Sequence, residues 1–145
     1  MIEDVAVEGE TERLVVSVRR GARELDRCPH CRARCPGYDL GEGRRRWRTL
    51  DIGTMLAYLE ADAPRVRCKR HGVVVAAVPW ARHDSSFTRQ FEDQVAWLTV
   101  QASKTAVSEL MRIAWRSVGW ICQRISDEAL ATRDLCSGLT RIGVE

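Results

Sequence analysis

Four residues in two short pairs are the side chains of this sequence best suited to metal chemistry. Two residues separate Cys28 from Cys31, and two separate Cys68 from His71. A turn of that length directs both donors of a pair at one ion, and thiolate and imidazole are donors that tetrahedral Zn²⁺ prefers. Because protein would fill all four positions, we expect one structural Zn²⁺ rather than a catalytic zinc, which keeps a position open for water.

Two nearby residues are rival ligands. His30 lies inside the first pair, where its side chain should point away from the ion, and Cys35 follows Cys31 by four residues, so an exchange of ligands is an alternative. The competing interpretation is that these cysteines are ordinary buried residues and the histidine lies on the surface. Cys122 falls on an apolar helical stripe and is predicted to lie in a core, and Cys136 has no partner pattern.

Composition places the chain among soluble intracellular proteins. It has 145 residues, 45% of them hydrophobic, which suits one ordinary domain or two small ones. No apolar run approaches the roughly 20 residues needed to cross a bilayer. The acidic N-terminus does not resemble a secretory signal. We therefore expect a cytoplasmic protein, in which six cysteines indicate metal binding or burial rather than disulfides.

The positive charge is concentrated in the middle of the chain. The net charge is +3, but residues 27–90 carry thirteen Lys and Arg against six acidic residues. Such a block is typical of a surface that binds a polyanion. The alternative is a charged surface that only keeps the protein soluble.

The densest basic cluster runs from Arg44 to Arg48 and surrounds a tryptophan. We expect Trp47 to be buried, and Arg44, Arg46 and Arg48 to face solvent and contact phosphates; the alternative is that these arginines are only solvated. Arg45 belongs to the same candidate DNA-binding set. The surface is predicted to continue around the second metal-binding pair through Arg65, Arg67, Lys69 and Arg70.

The first half of the chain is predicted to contain strands, and the fold class is α+β. Residues 13–19, 44–50 and 73–78 have the composition of strands, and residues 36–43 have that of a loop. Residues 54–61 fit a helix by propensity and a strand by position, so both remain open.

The second half has helical periodicity, after a linker from Pro79 to Ser86. Three apolar stripes predict three helices, with Thr88 and Ser103 as N-caps of the first two, whereas the third has no good N-cap. The expected organisation begins with an acidic N-terminal strand segment (residues 1–26) and a zinc-binding ribbon-like module (27–80). A helix-turn-helix domain (81–131) and a tail (132–145) follow.

The short connection from Arg112 to Trp115 makes the last two helices a candidate helix-turn-helix, in which the second helix enters the major groove. A plain three-helix bundle is the alternative. A glycine often occupies the position of Arg112, so either the turn differs or Arg112 adopts a positive φ. Gly119 in the third helix indicates that a backbone comes close there. The candidate DNA-binding residues of this region are Lys104, Arg116, Ser117, Trp120, Gln123 and Arg124.

In combination, several motifs resemble the N-terminal part of the ISL-three family of bacterial insertion-sequence transposases. The matching stretches are Cys28-Pro-His-Cys31, Trp47-Arg-Thr-Leu-Asp-Ile-Gly53, Pro64-Arg-Val-Arg-Cys68, His71-Gly-Val, Pro79-Trp-Ala-Arg82, Ser86-Phe-Thr-Arg-Gln-Phe-Glu92, Val95-Ala-Trp-Leu98, Ser103-Lys-Thr-Ala106 and Val118-Gly-Trp. The resemblance runs from about residue 25 to the end of the sequence.

The resemblance implies a zinc-binding segment and a helix-turn-helix that together bind the terminal inverted repeats of the element as double-stranded DNA, in the bacterial nucleoid. In that family a catalytic core with two Asp and one Glu around Mg²⁺ follows. The sequence ends Ile142-Gly-Val-Glu145 where family members read Ile-Gly-Val-Asp-Glu. We therefore expect no enzyme activity from this chain, which is either a piece of a transposase or a truncated relative. The alternative function is regulatory: the chain pairs with itself, with a full-length transposase or with another partner, and an outward Trp120 would suit such an interface.

Overall fold

In the part of the chain that the structure describes, seven strands precede three α-helices, so the α+β class predicted from the sequence is confirmed. The computed structural model describes residues 1–9, 12–132 and 137–138. The chain divides into two compact units, residues 1–91 and 92–145. The strands are β1 (Ile2–Glu8), β2 (Arg13–Val18), β3 (Gly37–Asp39), β4 (Arg44–Ile52), β5 (Met55–Asp62), β6 (Arg65–Cys68) and β7 (Gly72–Val75). The expected tail, residues 132–145, lies almost wholly outside the described residues.

The four-stranded sheet has the order β1-β2-β5-β4. The β2–β5 pair is parallel, and the other two pairs are antiparallel. All but the first of the ambiguous residues 54–61 therefore belong to β5, a strand that has neighbours on both sides. Pairing with two strands and the burial of Ala57 and Ala61 outweigh the helical propensity of this segment.

The three-stranded sheet has the order β3-β6-β7, with both pairs antiparallel. β3 lies within residues 36–43, which were expected to be a loop, and β7 ends at Val75 rather than at residue 78. A small core beside this sheet contains Cys28, Cys35 and Cys68 together with Val66 and Ala76. A separate core surrounds Trp47, which is buried as predicted.

The end of the segment expected to be a linker is hydrogen-bonded to the middle of β4. The Arg48 amide donates to the Ser86 carbonyl at 2.8 Å, and the Thr88 amide donates to the Arg48 carbonyl at 2.9 Å. Phe87 and Phe91 stack at 5.2 Å, and the Arg48 guanidinium lies 5.3 Å from the Phe91 ring. Arg48 is therefore buried, and the expectation that it faces solvent was wrong because the returning chain covers this face of the strand.

The helices are α1 (Arg89–Gln101), α2 (Lys104–Leu110) and α3 (Trp115–Thr132). Both predicted N-caps are confirmed: the Thr88 hydroxyl accepts from the Phe91 amide at 3.4 Å, and the Ser103 hydroxyl accepts from the Ala106 amide at 3.2 Å. None of the described helices combines the length and the apolar character that a bilayer span requires.

The connection between α2 and α3 places a non-glycine residue in the left-handed region. Arg112 has φ of +53°, so of the two alternatives raised by the sequence, Arg112 itself adopts the positive φ. The Ile113 amide donates to the Ser108 carbonyl at 3.1 Å and the Ser117 amide donates to the Ala114 carbonyl at 2.9 Å. The turn is thereby held at both ends.

Candidate metal centre and nucleic-acid interface

Each metal-binding pair lies on a tight turn that the local sequence explains. In the first, the Arg32 amide donates to the Cys28 carbonyl at 3.0 Å, and the Cys28 amide donates to the Ala33 carbonyl at 2.9 Å. In the second, β6 ends at Cys68 and β7 begins at Gly72, whose φ of +71° favours glycine. These turns present their donors from separate parts of the chain.

The two turns bring all four predicted donors together. The ligand atoms of Cys28, Cys31, Cys68 and His71 all lie within 4.8 Å of one another. The Sγ atoms of Cys31 and Cys68 are 3.7 Å apart, and Nδ1 of His71 is 3.5 Å from the Sγ atoms of both Cys28 and Cys68. Among the described residues this is the one cluster with metal-ligand geometry.

These distances fit a tetrahedral zinc ion. With Zn–S near 2.3 Å and Zn–N near 2.0 Å, the edges of the tetrahedron are about 3.8 Å between two sulfurs and about 3.5 Å between sulfur and nitrogen. The observed separations of 3.7 and 3.5 Å match both edges. The backbone N–H of Arg70 and the His71 ring lower the pKa of Cys68 to about 6, which favours the thiolate that binds metal.

The rival ligands lie outside the cluster. The Cys35 thiol donates to the Ala33 carbonyl at 3.4 Å, and burial raises its pKa, so the protonated thiol is favoured. The His30 ring packs against His71, with 4.9 Å between ring centroids, and against His83 at 4.6 Å. Neither supplies a donor to the four-residue cluster.

The arginines of β4 are engaged within the sheet. Arg46 donates to Glu60 at 2.6 Å and to Glu8 at 2.9 Å, and Arg44 pairs with Glu60 at 3.2 Å. Arg46 holds the pKa of Glu8 below its ordinary value. Sequence reasoning missed these acidic partners because they lie on β1 and β5, and only the folded sheet brings their side chains within reach of β4.

The remaining two arginines of that cluster are held by other groups. Arg45 donates to the Ser85 carbonyl at 2.8 Å and lies 5.4 Å from the centroid of the Trp47 ring. Arg48 pairs with Asp51 and donates to the Thr49 carbonyl at 2.5 Å. The expected phosphate-contacting cluster therefore consists of arginines that already have partners.

The N-terminal half of α3 exposes several of the candidate DNA-binding side chains. Val118 and Ile121 are buried, whereas Arg116 is exposed and Trp120 is 64% exposed. Gln123 is also exposed and donates to Asp127 one turn later at 2.8 Å. Ser117 is half-buried at the edge of this face.

Lys104, at the start of α2, reaches across to the start of α3. Its Nζ lies 3.2 Å from the centroid of the Trp115 ring, a cation–π contact. A Cβ at Gly119 would lie 2.8 Å from that Nζ. The expected close approach at Gly119 is thus made by the Lys104 side chain, and the expectation of an approaching backbone was wrong.

Arg124 points to a carboxylate rather than outward. It pairs with Glu92 of α1, whose side chain is fully buried. One feature of the sequence indicated a buried carboxylate, because Glu92 follows the buried Phe91 in the first turn of a helix. Nothing indicated its partner Arg124, which lies 32 positions away along the chain.

Two segments match families of transposase domains. Residues 24–71 match the family described as the zinc-finger of transposase IS204/IS1001/IS1096/IS1165, and all four clustered donors fall in this range. Residues 76–126 match the family described as the helix-turn-helix domain of transposase family ISL3.

The chain is also similar to full-length curated proteins. It is 48% identical over 149 aligned residues to the transposase for insertion sequence element IS1557 of Mycobacterium tuberculosis, in strain CDC 1551 / Oshkosh and in strain ATCC 25618 / H37Rv. The alignment covers 100% of this chain and 34% of each relative, so the chain spans a minor part of their length. No solved structure matches. With two successive domain matches and this identity, the chain belongs to the ISL3 family of transposases and carries the zinc-finger and helix-turn-helix domains of that family.

Proposed function

We propose that this chain binds double-stranded DNA with sequence preference, as the DNA-binding part of a transposase, and that its target is the terminal inverted repeat of an insertion sequence. The observation that carries the proposal is the exposed outer face of α3, with Arg116, Trp120 and Gln123, behind a short α2 and a four-residue turn. This is the arrangement in which a recognition helix enters the major groove. A DNA-binding role implies association with the nucleoid in the cell.

The side chains of this face have complementary roles in the proposal. Arg116 suits the O6 and N7 edge of guanine, and Gln123 suits the N6 and N7 edge of adenine once it leaves Asp127. Trp120 would contact sugar or base edges, and Ser117 and Lys104 would contact phosphates beside the helix. Arg48 and Arg124 are not part of this proposal because each is occupied with an acidic residue.

The metal centre has a structural role in the proposal. One Zn²⁺ would be held by Cys28, Cys31, Cys68 and His71, and it would join the two turns of the ribbon. Because these four donors fill a tetrahedral shell, the ion would stabilise the fold and would not activate water. We assign no catalytic residue within these 145 residues.

Selection of bound duplexes from a randomised pool, followed by anisotropy titration of the best sequence, tests the recognition helix. We expect Arg116→Ala or Gln123→Ala to reduce discrimination at one base pair by about 1–3 kcal/mol, since each removes one bidentate base contact. Gln94→Ala, an exposed glutamine on α1, is the matched control and should leave discrimination unchanged. Binding that is indifferent to sequence and to both α3 substitutions would disprove the assignment.

A second candidate function is regulatory, through pairing of this chain with another copy or with a full-length transposase. Large exposed apolar side chains on the helices favour it: Trp97 on α1 is 63% exposed and Val100 is 80% exposed. Light scattering of the purified chain should then give the mass of a dimer at micromolar concentration, and Trp97→Glu should give a monomer. A wild-type chain that stays monomeric at the highest soluble concentration would exclude self-pairing.

A further inference from the structure

Four exposed cations of the strand-rich unit lie around the two metal-binding turns. Arg34 follows the first turn, Arg67 is on β6, and Lys69 and Arg70 form the second turn. All four side chains are exposed, and none has an acidic partner among the described residues. Arg67 lies 4.9 Å from the Tyr38 ring centroid, a contact that orients the guanidinium without neutralising its charge. We call these four residues the knuckle cations.

A cavity lies between the knuckle cations. Its volume is about 280 Å³, and its largely apolar lining comes from all four of these side chains together with Cys31, Ala33, Cys35, Pro36 and Cys68. A sugar–phosphate backbone has the matching chemistry, because an anionic phosphate alternates with an apolar deoxyribose ring. The apolar lining suits a deoxyribose ring, and the exposed cations around the cavity suit the phosphates on either side of that ring.

The four positive charges of the knuckle cations exceed what would be needed to balance the negative charge of the metal centre. A zinc ion with three thiolates and one neutral imidazole carries a single net negative charge, whereas the knuckle cations carry four positive charges. The contrast with β4 is informative, because Arg44 and Arg46 of that strand are paired with Glu8 and Glu60. The turns therefore carry four exposed positive charges that no described acidic residue offsets, unlike the charges of Arg44 and Arg46.

We propose that the knuckle cations bind the phosphate backbone of duplex DNA, as a second contact surface separate from the α3 face. This inference rests on the proposed DNA-binding function and assigns the sequence-independent part of it. Each occupied phosphate releases condensed counterions, so these residues would set much of the salt dependence of binding, whereas α3 would set sequence preference.

Salt-dependent anisotropy titrations with a mixed-sequence duplex of about 20 base pairs test this division of roles. Two double variants, Lys69→Gln/Arg70→Gln and Arg34→Gln/Arg67→Gln, each remove two of the charges. We expect each to reduce the slope of log affinity against log salt by about 2 and to weaken binding at low salt by roughly tenfold. The matched control is Arg44→Gln/Arg46→Gln, which removes the same charge from β4 and should leave the slope unchanged.

Lysine footprinting of the unmodified chain supplies an independent measurement that does not depend on the variants folding. The sequence has two lysines, Lys69 at the second turn and Lys104 at the start of α2. We expect duplex DNA to slow the acetylation of Lys69 severalfold, as read by mass spectrometry, while the exposed N-terminal amine of Met1 serves as the unprotected control.

The outcomes separate this inference from the proposed function. Protection of Lys104 without Lys69, or knuckle variants that keep the wild-type slope, would overturn the inference and leave the recognition helix in place. An equal loss of slope in the β4 control would also overturn it, because net charge alone would then explain the effect. A wild-type chain that binds no duplex DNA at low salt would overturn both.

Discussion

Removal of zinc is expected to unfold the three-stranded sheet of this protein. The core beside that sheet contains five buried residues, and Cys28 and Cys68 belong both to this core and to the four-donor cluster. A core of this size supplies too little apolar burial to hold its strands alone. Structural zinc contributes on the order of 10 kcal/mol to the folding of small zinc-binding domains, so its loss should exceed the stability of the sheet.

Hydrogen exchange read by mass spectrometry provides the measurement. A strong chelator, Cys28→Ser or His71→Ala should abolish protection of the amides in β6 and β7. The helices contain none of the four donors, and we expect α3 to keep its far-ultraviolet circular dichroism. Purified wild-type protein should contain one zinc per chain.

Two other cysteines supply matched controls for the ligand assignment. Cys35→Ser removes a buried thiol next to the cluster, and Cys122→Ser removes a thiol that lies 3.4 Å from the Thr99 hydroxyl between α1 and α3. Both variants should retain the metal. If Cys35→Ser lost zinc while Cys28→Ser kept it, the ligand set would have to be revised.

Arg124→Ala is expected to destabilise the helical unit by about 3 kcal/mol, because it removes the charged partner of a buried carboxylate. Glu92 is fully buried and the Arg124 side chain is 30% exposed, so solvent screens this pair only in part. The effect should appear as a shift of the urea midpoint followed by circular dichroism, with an unchanged m-value.

A second substitution distinguishes loss of a buried ion pair from a general loss of packing. The double variant Glu92→Leu/Arg124→Met replaces both charges with apolar groups and should recover most of the stability. Gln123→Ala, an exposed neighbour on α3, should change stability by no more than about 0.5 kcal/mol. If Arg124→Ala proved as mild as that control, the buried pair would not be a stabilising feature of this fold.

The sequence by itself determined the four donors that cluster and the starts of the first two helices. Two donors separated by two residues must lie on a tight turn, so Cys28, Cys31, Cys68 and His71 are recognisable from spacing alone. Helix capping is equally local, since a hydroxyl at the N-cap reaches an amide three residues later. Thr88 and Ser103 were therefore predictable as N-caps without any tertiary information.

The tertiary structure alone decided which arginines are paired with carboxylates or covered by another segment of the chain. Arg46 is neutralised by glutamates of β1 and β5, Arg48 is covered by a segment that returns after β7, and Arg124 meets a carboxylate on another helix. Sequence places these partners tens of residues away, and nothing local distinguishes these arginines from Arg34 or Arg70. Electrostatic pairing depends on distance in space, whereas periodicity and spacing report only distance along the chain. For that reason the sequence identified the four clustered donors and placed β4 and the second metal-binding turn in one basic surface, and only the fold showed that the arginines of β4 already have partners.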